Sequence, residues 1–251
     1  MSTAELLEPL TASPSTSALL IDFDGTLSPI VDDPSEAVPE DGAVEILLEL
    51  EQSFGSVVIV SGRPLGFLSS RLPAELSLAG LYGLEGRDHG VDWELPNSGA
   101  WREIIADVAL TAARVGPECM RVEPKGLSLT MHYRGHAEIE ADVVALALAQ
   151  ADRSGLVMRP ARMSVELHPP IDSDKGTVVE RYATEATAAL FAGDDLGDLA
   201  GFDALDALSK LGVHVVRVAV ASDEAPLELT DRADIVVGSP RELVELLSSL
   251  R

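Results

Sequence analysis

Two aspartates one residue apart, Asp22 and Asp24, close the apolar run Leu19-Leu20-Ile21 and open onto Gly25-Thr26. Side chains alternate along an extended chain, so the two carboxylates point the same way while Phe23 points oppositely into packing. Such a pair repels itself unless a cation or protons intervene. A carboxylate held beside magnesium can attack phosphorus, and the resulting aspartyl-phosphate splits hydrolysis into two displacements. An acid two residues on can protonate the leaving oxygen and later deprotonate the attacking water. Three more loops suit the same chemistry. Ser61-Gly62-Arg63 offers a hydroxyl and backbone N–H groups to phosphoryl oxygens. Lys175, after Asp172-Ser173-Asp174, would neutralise an anionic nucleophile and the charge growing on the phosphoryl group. Asp194, Asp195 and Asp198 place three acids in five residues, a set suited to a hard cation such as magnesium. Taken singly, each loop also reads as ordinary turn or helix-start chemistry. Their occurrence in order, each at an expected strand end, decides for one common site.

The elements that must position them follow from the hydrophobic pattern. Short apolar runs at 18–21, 56–60, 78–81, 188–192, 213–220 and 235–237 suit strands covered on both faces. Between them, helical stripes fall at 42–54, 66–71, 175–183 and up to Leu211. Asp41 is the expected N-cap of the first stripe. Ser239-Pro240-Arg241-Glu242 reads as a capping box opening a final helix, and residues 1–16 as a loose arm or short helix. Strand-helix alternation predicts a doubly wound, Rossmann-like α/β core with a parallel sheet. Ligands of such sheets bind at the strands' carboxyl ends. After Pro96-Asn97-Ser98-Gly99 the rhythm changes to α-β-β-α-β-β, ending at His168-Pro169-Pro170. An α+β cap over 98–170, inserted between core segments 1–97 and 171–251, is therefore expected.

Composition bounds the partners. Eighteen basic against 42 acidic residues give a net charge of −24, which argues against nucleic acid and anionic membranes. An anionic substrate would then need local cations, protein-borne or metallic. Cys119 is the lone cysteine, which suits a reducing compartment. No apolar stretch approaches the roughly 18 residues of a membrane span, and the first seventeen residues lack the basic cluster of a secretory signal. A cytoplasmic monomer is expected.

Asp22-Phe23-Asp24-Gly25-Thr26, Ser61, Lys175 and Gly193-Asp194-Asp195 resemble the four motifs of haloacid-dehalogenase-like phosphatases. The stretches 22–29 and 122–129, His132-Tyr133-Arg134, His168-Pro169-Pro170 and Asp174-Lys175-Gly176 resemble the trehalose-phosphate phosphatases within them. The resemblance implies trehalose 6-phosphate as substrate and Mg2+ as cofactor. It makes Asp22 the nucleophile, Asp24 the general acid/base, Ser61 a phosphoryl ligand, and Lys175 the holder of nucleophile and phosphate. Asp194 would ligate magnesium with Asp22 and the backbone carbonyl of Asp24, with Asp195 and Asp198 as further or outer ligands. Gly62 and Arg63 would bind substrate, and Glu123, Lys125, His132 and Arg134 would face the sugar from the cap. From the residues alone, Glu123 and Lys125 across a hairpin turn also read as a plain surface ion pair. Two departures stand out. Gly197-Asp198-Leu199 replaces the family's Thr and Asp-Glu, and Tyr82 takes the place of a histidine. Phosphatases of sucrose-phosphate or glycosylglycerate type share the same fold and chemistry. A non-catalytic sugar-phosphate binder and a phosphoreceiver domain are rivals from other classes, the latter lacking both the cap and an acid at the position of Asp24.

Overall fold

The computed structural model describes residues 2–161, 163–221 and 226–251. Its contacts divide the chain into two units, Met1–Trp93 with Ser173–Arg251, and Glu94–Asp172.

The first unit is built on β1 (Ser17–Asp22), all six residues of which are buried. Its neighbours are β2 (Ser56–Val60) and β10 (Ala188–Gly193), both parallel to it. The eight-stranded sheet runs β12-β11-β10-β1-β2-β3-β4-β5. Here β3 is Ser77–Gly80, β4 Glu85–Asp88, β5 Val91–Glu94, β11 His214–Val220 and β12 Ile235–Val237. Because the chain leaves β1 toward β2 on one side and reaches β10 on the other, a crevice opens at the end of β1. Register sets what meets there. Asp22 lies opposite Val60, and Ile21 opposite Ala192, so the loops beginning at Ser61 and Asp194 emerge level with the aspartate pair.

Helices cover both faces, which is why the strands read as continuous apolar runs. On one face α1 (Thr3–Ala12), α2 (Ala43–Glu51), α3 (Leu65–Ser69) and α9 (Pro240–Ser248) pack on Leu19, Ile21, Ile59 and Leu190. On the other, α6 (Lys175–Ala183), α7 (Leu199–Lys210) and α8 (Leu227–Arg232) pack on Leu20, Val58, Val60 and Phe191. Phe23 joins the first face with no exposure, as the alternation from Leu19 and Ile21 requires.

Several expectations are corrected. The sheet is not purely parallel: β4 returns antiparallel to β3, and β5 extends that edge. The N-cap of α2 is Gly42 in a left-handed conformation, not Asp41. At α9 the Ser239 hydroxyl accepts the Glu242 N–H, but Glu242 turns to the N–H of Gly238, so only half of the capping box forms. The helix after the linker signal, α4 (Ser98–Val115), starts within that signal because Asn97 takes up the left-handed turn itself.

The second unit pairs α4 and α5 (Glu140–Ser154) with an antiparallel sheet ordered β6-β7-β9-β8. These strands are β6 (Arg121–Pro124), β7 (Leu129–His132), β8 (Val157–Ala161) and β9 (Ser164–His168). Leu129, Met131, Val165 and Leu167 face Ile105, Val108, Ala112, Val143 and Ala147 of the helices in one apolar core. Strand alternation turns Thr130, His132, Ser164 and Glu166 to the opposite face.

Candidate active site

β1 ends at Asp22, whose carboxylate is almost completely buried. Burial is tolerated because Lys175, the first residue of α6, donates from Nζ to Asp22 Oδ1 at 2.7 Å and to Asp198 Oδ1 at 2.6 Å. The lysine is itself buried at a helix start, where the dipole disfavours a cation. Asp174 caps that helix by accepting the Thr177 N–H at 2.9 Å, so the lysine's place in the first turn is set by its own flanking residues. Burial alone would lower the Lys175 ammonium, but Asp198, Asp22 and Asp195 outweigh it and raise it well above its ordinary value.

Asp194 follows β10. Its Oδ1 accepts the Thr26 hydroxyl at 3.0 Å. Asp198 has no exposure, and its Oδ2 accepts the N–H groups of Asp194 and Asp195 at 2.9 and 3.0 Å. One carboxylate thus fixes both the lysine and the turn that carries Asp194. Glycines admit these approaches. At Gly25, with φ +85°, a Cβ would lie 2.2 Å from Asp194 Oδ2, and at Gly193 one would lie 2.2 Å from Asp198 Cγ.

Asp22, Asp194 and Asp198 bring carboxylate oxygens within 4.8 Å of one another, all three buried. Three carboxylates face one ammonium, leaving two negative charges in a poorly solvated place. Burial pushes the Asp22 carboxyl well up, against the pull of Lys175 and with Asp198, Asp194 and Asp195 adding to the rise. Burial likewise raises Asp194 to about 7, with Asp198 and Asp195 adding to it and the Thr26 hydrogen bond and Lys175 opposing. An uncompensated double charge held by hard oxygen donors is what a small divalent cation balances. Asp22 keeps Oδ2 and Asp194 keeps Oδ2 outside these hydrogen bonds, whereas both Asp198 oxygens are engaged. The Asp24 carboxylate is paired with Arg63, and the largely exposed Asp195 lies at the rim, 3.9 Å from Lys175 Nζ, and accepts the Gly197 N–H at 2.8 Å.

The second loop lies alongside. Ser61 is buried, and its Oγ accepts the Arg63 N–H at 3.0 Å. Arg63, expected to bind substrate, forks onto Asp24 through Nε at 2.8 Å and Nη2 at 2.7 Å. Above Gly62 sits Tyr82, close enough that a Cβ on the glycine would be 2.5 Å from its hydroxyl. Leu81, Tyr82 and Gly83 are all left-handed, a chain reversal that places this ring and is anchored by the Ser173 hydroxyl on the Tyr82 carbonyl at 2.6 Å.

In the second unit Glu123 pairs with His132 at 2.7 Å, not with Lys125. That hydrogen bond, against the opposing effect of burial and with Lys125, His132 and Arg121 adding to it, lowers Glu123 to about 2. Lys125 is half-buried in the hairpin turn, where its N–H donates to the Ser128 carbonyl at 2.8 Å, and Arg134 is exposed. The register aligns Glu123, Thr130, Glu166 and Arg159 across all four strands. Thr130 and Ser128 carry buried hydroxyls without a hydrogen-bond partner, and Glu166 is buried beside Thr130. Hydroxyls and carboxylates in such a row offer both donors and acceptors. Sequence reasoning missed Glu166, Thr130 and Ser128, although the alternation in Ser164-Val165-Glu166-Leu167-His168 marks a strand with one polar face.

Among the described residues no helix is long and apolar enough to cross a membrane. The family model described as trehalose-phosphatase matches residues 20–233. The trehalose-phosphate phosphatase of Mycobacterium ulcerans (strain Agy99) is 33% identical over 217 residues, covering 79% of this chain and 53% of that protein. The trehalose-phosphate phosphatase of Mycobacterium leprae (strain TN) is 34% identical over 221 residues, covering 79% of this chain and 50% of that protein. The chain thus spans about half the length of the curated relatives it matches. Among solved structures, the C-terminal domain of C. albicans trehalose-6-phosphate phosphatase superposes with a TM-score of 0.78 at 25% identity, covering 100% of this chain and 97% of that one.

Proposed function

The chain belongs to the trehalose-phosphatase family, and on that premise we propose that it hydrolyses trehalose 6-phosphate to trehalose and inorganic phosphate, with magnesium, through a phospho-Asp22 intermediate. The observation that carries the reading is the buried cluster in which Lys175 bridges Asp22 and Asp198 beside Asp194. Asp22 and Asp194 would hold the ion, with the Asp24 backbone carbonyl as a third ligand by the family's pattern. Bound there, magnesium supplies positive charge to the phosphoryl oxygens and to the attacking carboxylate.

The chain's own groups do the rest. Lys175 engages Oδ1 of Asp22 and leaves Oδ2 to attack. In the first displacement that oxygen bonds phosphorus, the bond from phosphorus to the sugar oxygen breaks, and Asp24 gives its proton to the departing oxygen. In the second, Asp24 takes a proton from water, the water oxygen bonds phosphorus, the Asp22–phosphorus bond breaks, and phosphate leaves. Ser61 binds a phosphoryl oxygen. Asp198 acts through the residues it holds. The polar row of the second unit, Glu123, Thr130 and Glu166 with His132, Lys125 and Arg134, takes the sugar hydroxyls through ionic hydrogen bonds. The single exposed cysteine, Cys119, supports a cytoplasmic place of action, and we read the protein as a monomer.

Phosphate release across a panel of sugar phosphates, with magnesium and with EDTA, tests the reading. Trehalose 6-phosphate is expected to be the best substrate and EDTA to abolish turnover. Asp22→Asn is expected to abolish it too, because an amide is a poor nucleophile. Faster release from another disaccharide phosphate would move the substrate assignment and leave the chemistry standing.

A further inference from the structure

We propose that Arg63 is the positioning residue of Asp24, acting on the reaction through that carboxylate rather than by gripping substrate. The inference rests on the phosphatase reading above. Asp24 lies beyond the end of β1, followed by a left-handed glycine, and forms an isolated bridge to Ser28. Its side chain is held by Arg63, whose Nε and Nη2 donate to Oδ2 and Oδ1 at 2.8 and 2.7 Å, fixing the plane of the carboxylate as well as its position.

Arg63 is itself held in place. Its N–H donates to Ser61 Oγ, its carbonyl accepts the Leu81 N–H at 2.9 Å, and its guanidinium carbon lies 4.3 Å from the centre of the Phe67 ring. Phe67 meets the fully buried Phe23 edge to face, with ring centres 5.9 Å apart. The same ring carries Arg71 at 3.8 Å, and Arg71 Nε donates to the Ala37 carbonyl at 2.8 Å. Asp24 is thus tied through Arg63 and Phe67 to Phe23, its own neighbour in sequence, and to the loop before α2. A general acid works only within hydrogen-bond reach of the atom it serves. In the first displacement Asp22 Oδ2 bonds phosphorus, the bond from phosphorus to the sugar oxygen breaks, and Asp24 gives its proton to that oxygen. In the second it takes a proton from water as the water oxygen bonds phosphorus, the Asp22–phosphorus bond breaks, and the protonated acid is restored.

The test measures kcat and KM, with magnesium, for the wild type, Arg63→Met, Arg63→Lys, Asp24→Asn and the Asp24→Asn/Arg63→Met double variant. Trehalose 6-phosphate is compared with p-nitrophenyl phosphate, whose leaving group needs no proton. For Arg63→Met we expect kcat/KM on the sugar phosphate to fall about 100-fold, through kcat. On p-nitrophenyl phosphate it should fall less than about fivefold, since kcat/KM there reports only the first displacement. Arg63→Lys, which keeps the charge without the fork, should recover part of the loss; it also carries the test if the Met variant does not fold. The double variant should match Asp24→Asn within about twofold. Equal losses on both substrates through KM, or losses that multiply in the double variant, overturn the proposal. Those results would leave the phosphatase reading intact, whereas a wild type that turns over neither ester removes both.

Discussion

Replacing Gly25 by alanine tests whether Asp194 must sit where the structure puts it. The added Cβ would lie 2.2 Å from Asp194 Oδ2, 2.5 Å from Cγ and 2.7 Å from Oδ1. To reach an ordinary contact of 3.4 Å the nearer oxygen must retreat by more than 1 Å. Aspartate is short, and its other oxygen is held by Thr26 at 3.0 Å, so the retreat displaces the whole carboxylate from the cluster. A misplacement of about 1 Å at reacting groups costs on the order of 100-fold in rate. Alanine at φ +85° also costs about 1–2 kcal/mol in the backbone. Gly42 separates the two effects, because its φ is +81° and a Cβ there would meet nothing within 4 Å. In denaturant titrations Gly42→Ala should therefore lose the backbone cost alone, and Gly25→Ala that cost together with the clash. Only Gly25→Ala should lose about 100-fold in kcat/KM and need at least about tenfold more magnesium for half-maximal phosphate release. A Gly25→Ala enzyme within threefold of wild type in both quantities would refute the placement of Asp194 in the working site.

Lys175→Met strands Asp22 and Asp198 as buried carboxylates without their cation, so the folded protein should lose about 3–5 kcal/mol in EDTA, read as a shift in denaturant midpoint. Magnesium should restore part of that loss but not activity. Asp194, raised to about 7 in the folded protein, is near 3.9 when unfolded. Between those values only the folded state keeps the proton, so the stability this group contributes is full below about pH 3.9 and is lost as pH rises through 7. In EDTA, Asp194→Asn, which cannot ionise, should therefore gain thermal stability relative to wild type from pH 5 to pH 8, by about 4 kcal/mol at most; saturating magnesium should cancel the gain. If the second unit takes the sugar as proposed, Glu166→Gln replaces a charged acceptor by a neutral one. Its KM for trehalose 6-phosphate should rise about tenfold or more, while kcat/KM for p-nitrophenyl phosphate stays unchanged.

Residue patterning was enough to read the α/β alternation, the inserted α-β-β-α-β-β unit and the positions at which acids, serine and lysine interrupt apolar runs. Those features are local: a run of Val, Leu and Ala between turn residues declares a buried strand, and a capped start declares a helix, wherever they sit. Weak local signals were not legible in the same way. Glu85–Asp88 and Val91–Glu94 are short strands rich in polar residues; the first forms because β3 is there to pair with and the second extends it as the edge, and Gly42 rather than Asp41 caps α2 because the chain must turn left-handed at that point. Partnership was decided by tertiary structure alone. Nothing in the order of residues says that Lys175, expected to hold Asp22, also takes Asp198, that Asp198 uses both oxygens in holding its neighbours, that Arg63 forks onto Asp24, or that Glu123 takes His132 in preference to Lys125. Side-chain type sets which bonds are possible. Which of them form depends on strand register and helix placement, and these bring Asp22 to Lys175, 153 positions away along the chain, at 2.7 Å.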